Sequence, residues 1–376
     1  VRLLLINYME TTAPGGINKV VFEIARWMSK WGHDVVVFNP AWDKEKELTT
    51  EEIEGFKLIR GYKYSPLTYG MYLRNAKILR NLIKEFHPDV IHIHGAHTVF
   101  SGETILLLKK LKKHRYVPII FTPHYDPLNR NTLGGMLFGK FYDTTINKYA
   151  ISLVDFIISI SYFEAANVMS VFKVPGYKIK VIPHGVPIVP KPTKKKFEGQ
   201  LRLLYVGYLN HYKGIHYIIQ TLYYLVHEFG YTNVTLTIVG DGPEKNYLMN
   251  LAKKLNVDRF ILWLPFMPHD KVIATMRTSD ILLLLSKSEG YGIVVAEALA
   301  VGVPAIVTKG TALEEFIWEP GCFGVKYPPN PRDVAGLISK IVNSDVRVGP
   351  FSKKIRTWDE VVKDYEDVYF KLINSR

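Results

Sequence analysis

The sequence predicts an α/β protein of two domains, each built on a doubly wound parallel sheet. Three observations predict it. Strand-length apolar runs alternate with amphipathic helix-length runs through both halves of the chain. A proline- and lysine-rich stretch, PIVPKPTKKKFEGQ at 187–200, interrupts the alternation in the middle. Many of the apolar runs end in glycine turns, as strands do where they hand over to helices. At 376 residues the chain is long for one core, and 48% hydrophobic residues can fill two.

In the first half, 2–7 is an apolar strand. Polar and glycine residues follow it, so VRLLLINY reads as that strand and not as a signal peptide. The next loop ends in Gly15-Gly16, and a helix runs to about Trp31, with Val20, Val21, Ile24, Trp27 and Met28 at helical spacing. Gly32 stops it, and 34–39 is the second strand. No Gly-x-Gly-x-x-Gly is present, so this is not the dinucleotide fingerprint. Residues 56–60 are strand-like, 71–86 are helical, Pro88-Asp89 breaks that helix, and 90–94 is a buried-type strand. His92 and His94 share one face of it. With His97 they could be taken for metal ligands, but no carboxylate cluster completes a site, so no metal is expected. Residues 104–113, with LLLKKLKK, form a lysine-rich amphipathic helix. Its leucines either face their own sheet, the commoner arrangement, or touch a membrane surface.

A strand at 117–122 leads to His124. The glycine-rich, aromatic stretch 125–139 has the composition and place of an acceptor-binding lid. Then follow a helix at 141–152, a strand at 155–160, a helix at 162–172 and a strand at 178–182, closed by His184-Gly185-Val186. Beyond the 187–200 linker the pattern restarts: strand 201–207, helix 214–229, strand 234–240, helix 245–255, strand 260–264, strand 281–285, and a last helix at 358–374. Such alternation implies parallel strands with right-handed crossovers.

The most informative stretch is SKSEGYGIVVAEALAVGVPAIVT at 286–308. Gly290 and Gly292 bracket Tyr291, so the backbone can turn sharply and approach a ligand. A helix begins near Ile293 and stops at Gly302-Val303-Pro304. The loop thus lies at a strand's carboxyl end and a helix's amino end, where open α/β sheets bind ligands and free N–H groups favour phosphate. Glu289 and Glu297 frame the same place, and carboxylates can accept hydrogen bonds from sugar hydroxyls.

Taken whole, this stretch resembles the Glu-x7-Glu signature of family 4 retaining glycosyltransferases, down to the Glu-Gly-Tyr-Gly opening, the Glu-Ala-Leu-Ala helix and the Gly-Val-Pro ending. The resemblance covers nearly the whole chain and is strongest over 207–308. It implies the GT-B fold, with two Rossmann-like domains facing a central cleft: 1–186 on the acceptor side, 187–357 on the donor side, and the helix at 358–376 packed back on the first domain. It implies transfer of a hexose from a UDP- or GDP-sugar to a hydroxyl, with retention of configuration, no cofactor and no divalent metal. By the same resemblance Glu289 accepts hydrogen bonds from the hexose, and the amides of Gly290, Tyr291 and Gly292 hold sugar and phosphate. Glu297 binds the ribose hydroxyls, and Lys213 offsets charge on the leaving phosphate. His124 meets the transferred sugar, Gly15 and Gly16 pack against the diphosphate, Gly207 and Gly240 lie beside the nucleotide, and the 264–268 loop around Phe266 holds the base. The chain departs from the pattern at Tyr208, where an arginine is common, so one usual diphosphate cation is missing.

The net charge of +13 suits a phosphorylated or lipid-linked acceptor, or peripheral contact with an anionic membrane face. No nucleic-acid module is recognisable, so nucleic acid is not expected as a partner. The lone Cys322 excludes an internal disulfide and fits a reducing cytoplasm. Two other readings use the same residues: a nucleotide-sugar epimerase on this scaffold, and a non-catalytic nucleotide-sugar-binding subunit, the latter motivated by Tyr208.

Overall fold

A computed structural model describes residues 1–8, 16–40, 48–62, 73–96, 98–111, 116–126, 139–188, 192–349, 351–352 and 354–375. Gly15, His97 and most of the 125–139 stretch lie outside these residues. The chain divides into two compact units, Val1–Gly185 with Trp358–Arg376, and Val186–Thr357.

The first unit is built on β1 (Arg2–Asn7), β2 (Asp34–Asn39), β3 (Thr49–Ile53), β4 (Phe56–Arg60), β5 (Val90–His94), β6 (Ile119–Thr122), β7 (Phe156–Ser159) and β8 (Ile179–Val181). Among the described residues these form one sheet in the order β3-β4-β2-β1-β5-β6-β7-β8. Neighbours run parallel except β3, which pairs antiparallel with β4 at the edge. The central strands are buried on both faces, which is why β1 and β6 read as nearly continuous apolar runs and why the two histidines of β5 are buried as well. Alternate residues serve opposite cores. Leu4, Ile6, Ile93 and Phe121 pack in one, and Leu3, Leu5, Val37 and Ile120 in the other.

The second of these cores is covered by the helices Gly16–Lys30 and Trp358–Asn374, which pack on each other. The last helix buries Trp358, Val361, Val362, Tyr365, Val368 and Tyr369, an apolar stripe at helical spacing. His33 Nε2 lies 2.7 Å from Glu366 Oε1 and ties that helix to the end of the first one.

The second unit contains β9 (Thr193–Lys195), β10 (Leu201–Val206), β11 (Val234–Val239), β12 (Ile261–Leu264), β13 (Ile281–Leu284), β14 (Ala305–Thr308), β15 (Cys322–Val325) and β16 (Val346–Val348). The main sheet runs β12-β11-β10-β13-β14-β15, all parallel, and β9 pairs antiparallel with β16. Strand order reverses between β10 and β13, so their carboxyl ends flank a topological switch point.

Three differences from expectation have physical causes. The 187–200 stretch is not wholly solvated linker, because Lys195 reaches Asp280 Oδ1 at 3.0 Å and its backbone finds β16. The helix expected at 104–113 begins earlier, at Val99, and buries Phe100, Ile105 and Leu108 against the unit's own core. Residues 309–357 hold elements that the strand-and-helix pattern did not bring out. One is the helix Pro331–Val342, which Asn330 caps at the amide of Arg332.

Gly185 follows the last strand of the first sheet and lies against the start of the last helix. A Cβ there would lie 2.6 Å from Trp358 Cα and 2.8 Å from its amide nitrogen. Gly185→Ala must therefore displace backbone. Urea unfolding should show a loss of about 2–3 kcal/mol, and an unchanged midpoint would show that the approach is not tight.

Candidate active site

In the second unit the site grows from main-chain contacts at the switch point. Gly214 has φ of +70° and caps the helix Ile215–His227. A Cβ on it would sit 2.0 Å from Leu285 O, so only glycine lets this helix start touch the end of β13. The amide of Lys287 donates to Tyr212 O at 2.7 Å and binds the two loops a second time. This clasp brings Lys213, the last residue of a short 3-10 turn, across to the segment after β13.

There Lys213 Nζ donates to Glu289 Oε1 at 2.6 Å, and Ser286 Oγ donates to the same oxygen at 3.1 Å. The two charged side chains are 17% and 14% exposed, so the pair is largely withdrawn from water. An ion pair in such a place holds together through geometry and extra hydrogen bonds, and breaking it strands a charge. Tyr205 lies beneath, with its hydroxyl donating to Tyr208 O at 3.1 Å. Burial and the neighbouring Glu289 push that phenol's pKa well above its usual value, so it stays a neutral donor. The side chain of Tyr208 itself stands exposed.

The loops after β10 and β11 stack in the same fashion. A Cβ on Gly240 would lie 2.0 Å from Gly207 O, and one on Gly242 would lie 2.4 Å from Leu209 O. Gly292, with φ of +96°, precedes the helix Ile293–Ala300, whose amino end carries the positive end of the helix dipole and suits an anion. The buried Tyr291 between the two glycines packs edge-on against Phe316 at 5.3 Å. Lys354 lies over Phe316 at 4.2 Å and pairs with Glu315 at 2.8 Å. Burial lowers the pKa of Lys354 against the pull of Glu315.

Glu297 is buried, and His269 Nε2 lies 2.8 Å from its Oε1. His269 opens the helix His269–Arg277 directly after the 265–268 loop, on which Phe266 is exposed. Ser286, His269 and Lys354 were not singled out from the sequence. Ser286 stood in plain sight within the glycine-loop stretch, whereas His269 required the helix that follows Pro268 to be recognised.

His124 and Gly16 belong to the first unit, where Gly16 begins the first helix. His124 adopts φ of +47°, and its Nε2 lies 3.1 Å from His94 Nδ1. The ring of His94 is 4.1 Å from that of His92, and the ring of His184 is 5.8 Å from that of His124. His92 is fixed at both nitrogens, by Tyr369 OH and by Thr122 Oγ1, each at 2.8 Å. Burial and then the neighbouring imidazoles drive the pKa of His92 down to about 3, and those of His94 and His184 well below the usual histidine value. His92, His94 and His184 are therefore neutral at physiological pH, suited to hydrogen bonding and not to holding an anion. Among the described residues no group of three or more His, Cys, Asp or Glu side chains is arranged to hold a metal ion.

Comparison with known proteins matches residues 14–189 to the family described as Glycosyltransferase Family 4 and residues 190–358 to Glycosyl transferases group 1. An uncharacterized glycosyltransferase of Methanocaldococcus jannaschii is 24% identical over 94% of this chain and 94% of its own. Among solved structures, sucrose-phosphate synthase from Thermosynechococcus elongatus superposes with a TM-score of 0.78 at 17% identity, covering all of both chains. Anabaena HepE in complex with UDP and glucose superposes with a TM-score of 0.65 at 16% identity, covering 99% of this chain and 97% of that one.

The histidine array makes the first unit acid-sensitive. In the unfolded chain His92, His94 and His184 titrate near 6.5, and in the folded unit they do so lower. Below that pH the unfolded state binds more protons. Stability is therefore complete above about 6.5 and falls toward about 3, by up to about 1.4 kcal/mol per pH unit for each histidine. Urea midpoints measured across this range should show that fall, and His92→Gln should flatten it. An unaltered slope in the variant would contradict the assignment.

Proposed function

The chain belongs to the family 4 glycosyltransferases and has their GT-B fold, and from that membership we propose that it moves a hexose from a UDP- or GDP-sugar to a hydroxyl of a glycan, lipid-linked or phosphorylated acceptor. The proposal includes retention of anomeric configuration and no requirement for a divalent metal. It is carried by one observation: a lysine and a carboxylate, Lys213 and Glu289, held 2.6 Å apart at a strand end that runs into a helix amino terminus.

The chemistry follows from where charge develops. As the bond between the anomeric carbon and the diphosphate oxygen stretches, negative charge grows on the leaving phosphate. Lys213 can turn from Glu289 to that phosphate, and the first amides of the Ile293–Ala300 helix add fixed dipoles. The acceptor oxygen bonds to the anomeric carbon on the face the phosphate leaves, and the acceptor proton passes to the departing phosphate oxygen. The products are the glycoside and the nucleoside diphosphate.

Glu289, once Lys213 has turned away, accepts hydrogen bonds from the hexose. The amides of Gly290, Tyr291 and Gly292 hold sugar and phosphate, and Glu297 takes the ribose hydroxyls. The backbone around Phe266 takes the base, with Gly207 and Gly240 leaving room for the nucleotide. From the first unit His124 meets the transferred sugar and Gly16 the diphosphate. With Tyr208 in place of arginine, the cationic share of the task rests on Lys213. His269 acts through Glu297, fixing the orientation of its carboxylate.

A thermal-shift screen against nucleotide sugars tests the donor assignment. A ligand at a hundred times its dissociation constant should add about 2.7 kcal/mol of stability, and a flat response across UDP- and GDP-sugars would remove it. Lys213→Ala and Glu289→Gln should each lower kcat by about 100-fold or more, whereas intact turnover in both would displace the site. His269→Ala should raise the donor KM about tenfold with little change in kcat. A kcat effect of that size would instead place His269 in the chemistry.

A further inference from the structure

Residues 139–180 of the first unit carry six of the fifteen large apolar side chains that stand exposed among the described residues: Phe141, Ile146, Tyr149, Tyr162, Met169 and Tyr177. An even scatter along the chain would place about two there. The chain is helical from 139 to 152 and again over Tyr162–Phe172, and these two helical segments pack on each other. Phe141 is 64% exposed, Tyr149 61% and Tyr162 73%.

Local backbone chemistry prepares this face for a medium without water. The first helix contains a π-turn at Asp143–Asn147. Phe141 stands exposed just before it and Ile146 within it. The exposed hydroxyls between them are already used. Thr144 Oγ1 donates to Lys140 O at 2.8 Å, Thr145 Oγ1 to Phe141 O at 2.6 Å, and Ser152 Oγ to Tyr149 O at 2.7 Å. A polar group satisfied by its own helix can leave water at small cost.

Charge decides what lies against it. Lys140 and Lys173 are exposed and Lys148 half-buried on these segments. The acids of the same helices face inward: Asp143 accepts from Tyr125 OH at 2.9 Å, and Glu164 accepts from the amide of Ile160 at 2.7 Å. A second copy of a chain with net charge +13 would set lysine against lysine. A layer of anionic headgroups over acyl chains complements both the lysines and the rings. We propose that the outer face of the helical segments 139–152 and Tyr162–Phe172 docks on the surface of an anionic lipid bilayer. The helix Val99–Leu111, lysine-rich as it is, turns its apolar residues inward and offers no comparable face. Among the described residues no helix is long and apolar enough to cross a membrane.

This surface belongs to the first unit and Lys213 and Glu289 to the second, so the two readings fail separately. The test is co-sedimentation of the full chain with phosphatidylglycerol vesicles and with phosphatidylcholine vesicles. Binding is expected to the former and to be weak with the latter. Phe141→Ser with Tyr149→Ser should lower partitioning about tenfold for each ring removed from the bilayer. Lys140→Glu with Lys148→Glu should lower it about fivefold or more per lysine on the anionic vesicles and leave the neutral ones unchanged. Urea midpoints establish that each variant folds, and if the ring variant does not, the lysine variant decides alone. The proposal is overturned if the intact protein ignores phosphatidylglycerol, or if folded variants bind as the intact protein does. It is equally overturned if the chain forms a dimer that the ring substitutions abolish, which would make the face an interface between copies.

Discussion

At the carboxyl ends of β10, β11 and β13, main chain lies against main chain with no room for a side chain between. Gly214 meets Leu285 O, Gly240 meets Gly207 O and Gly242 meets Leu209 O, each at a distance that a Cβ could not tolerate. Everything that looks like chemistry in the second unit depends on this closeness. Lys213 precedes Gly214, so its reach to Glu289 is fixed by the same contact. The backbone supplies the rigidity, and the charged groups then need only short excursions to act. A glycine in such a place confers precision by what it leaves out.

The two units handle buried polar groups in opposite ways. The second sets ammonium against carboxylate, as in Lys213–Glu289, Lys354–Glu315 and Lys195–Asp280, and so keeps full charges in partly dry surroundings. The first buries four histidines together and lets desolvation keep three of them, His92, His94 and His184, neutral, with Tyr369 and Thr122 completing the bonding of His92. Paired charges respond when an ionic ligand competes for one partner. A neutral array instead presents hydrogen-bonding groups whose state barely changes above pH 6.5.

Much of this was legible in the residues. Largely apolar runs of strand length announced β1, β2, β5, β10, β11 and β13, with glycine directly after β5, β10 and β11, because parallel strands in the middle of a sheet are buried on both faces. The glycine loop before Ile293 and the residues around it were visible for the same reason, since such spacing has few structural uses. What stayed hidden was set by partners distant in sequence. Thr49–Ile53 is a polar edge strand with little apolar signature, and Thr193–Lys195 becomes a strand only because β16 lies beside it. The His269–Glu297 contact joins two helices that pack on each other, and no local pattern declares it. His92 and His94 were noticed as a pair, but nothing in one strand shows that His124 and His184 close ranks with them.

The first unit is discontinuous, with Trp358–Asn374 returning to cover the core that Leu3, Leu5 and Val37 begin. A ribosome therefore releases the whole second unit before the first can be sealed. Until that helix arrives the chain carries an unroofed apolar wall, the kind of surface that chaperones hold. The late arrival of one amphipathic helix thus sets the order of biogenesis: the half encoded later can mature first.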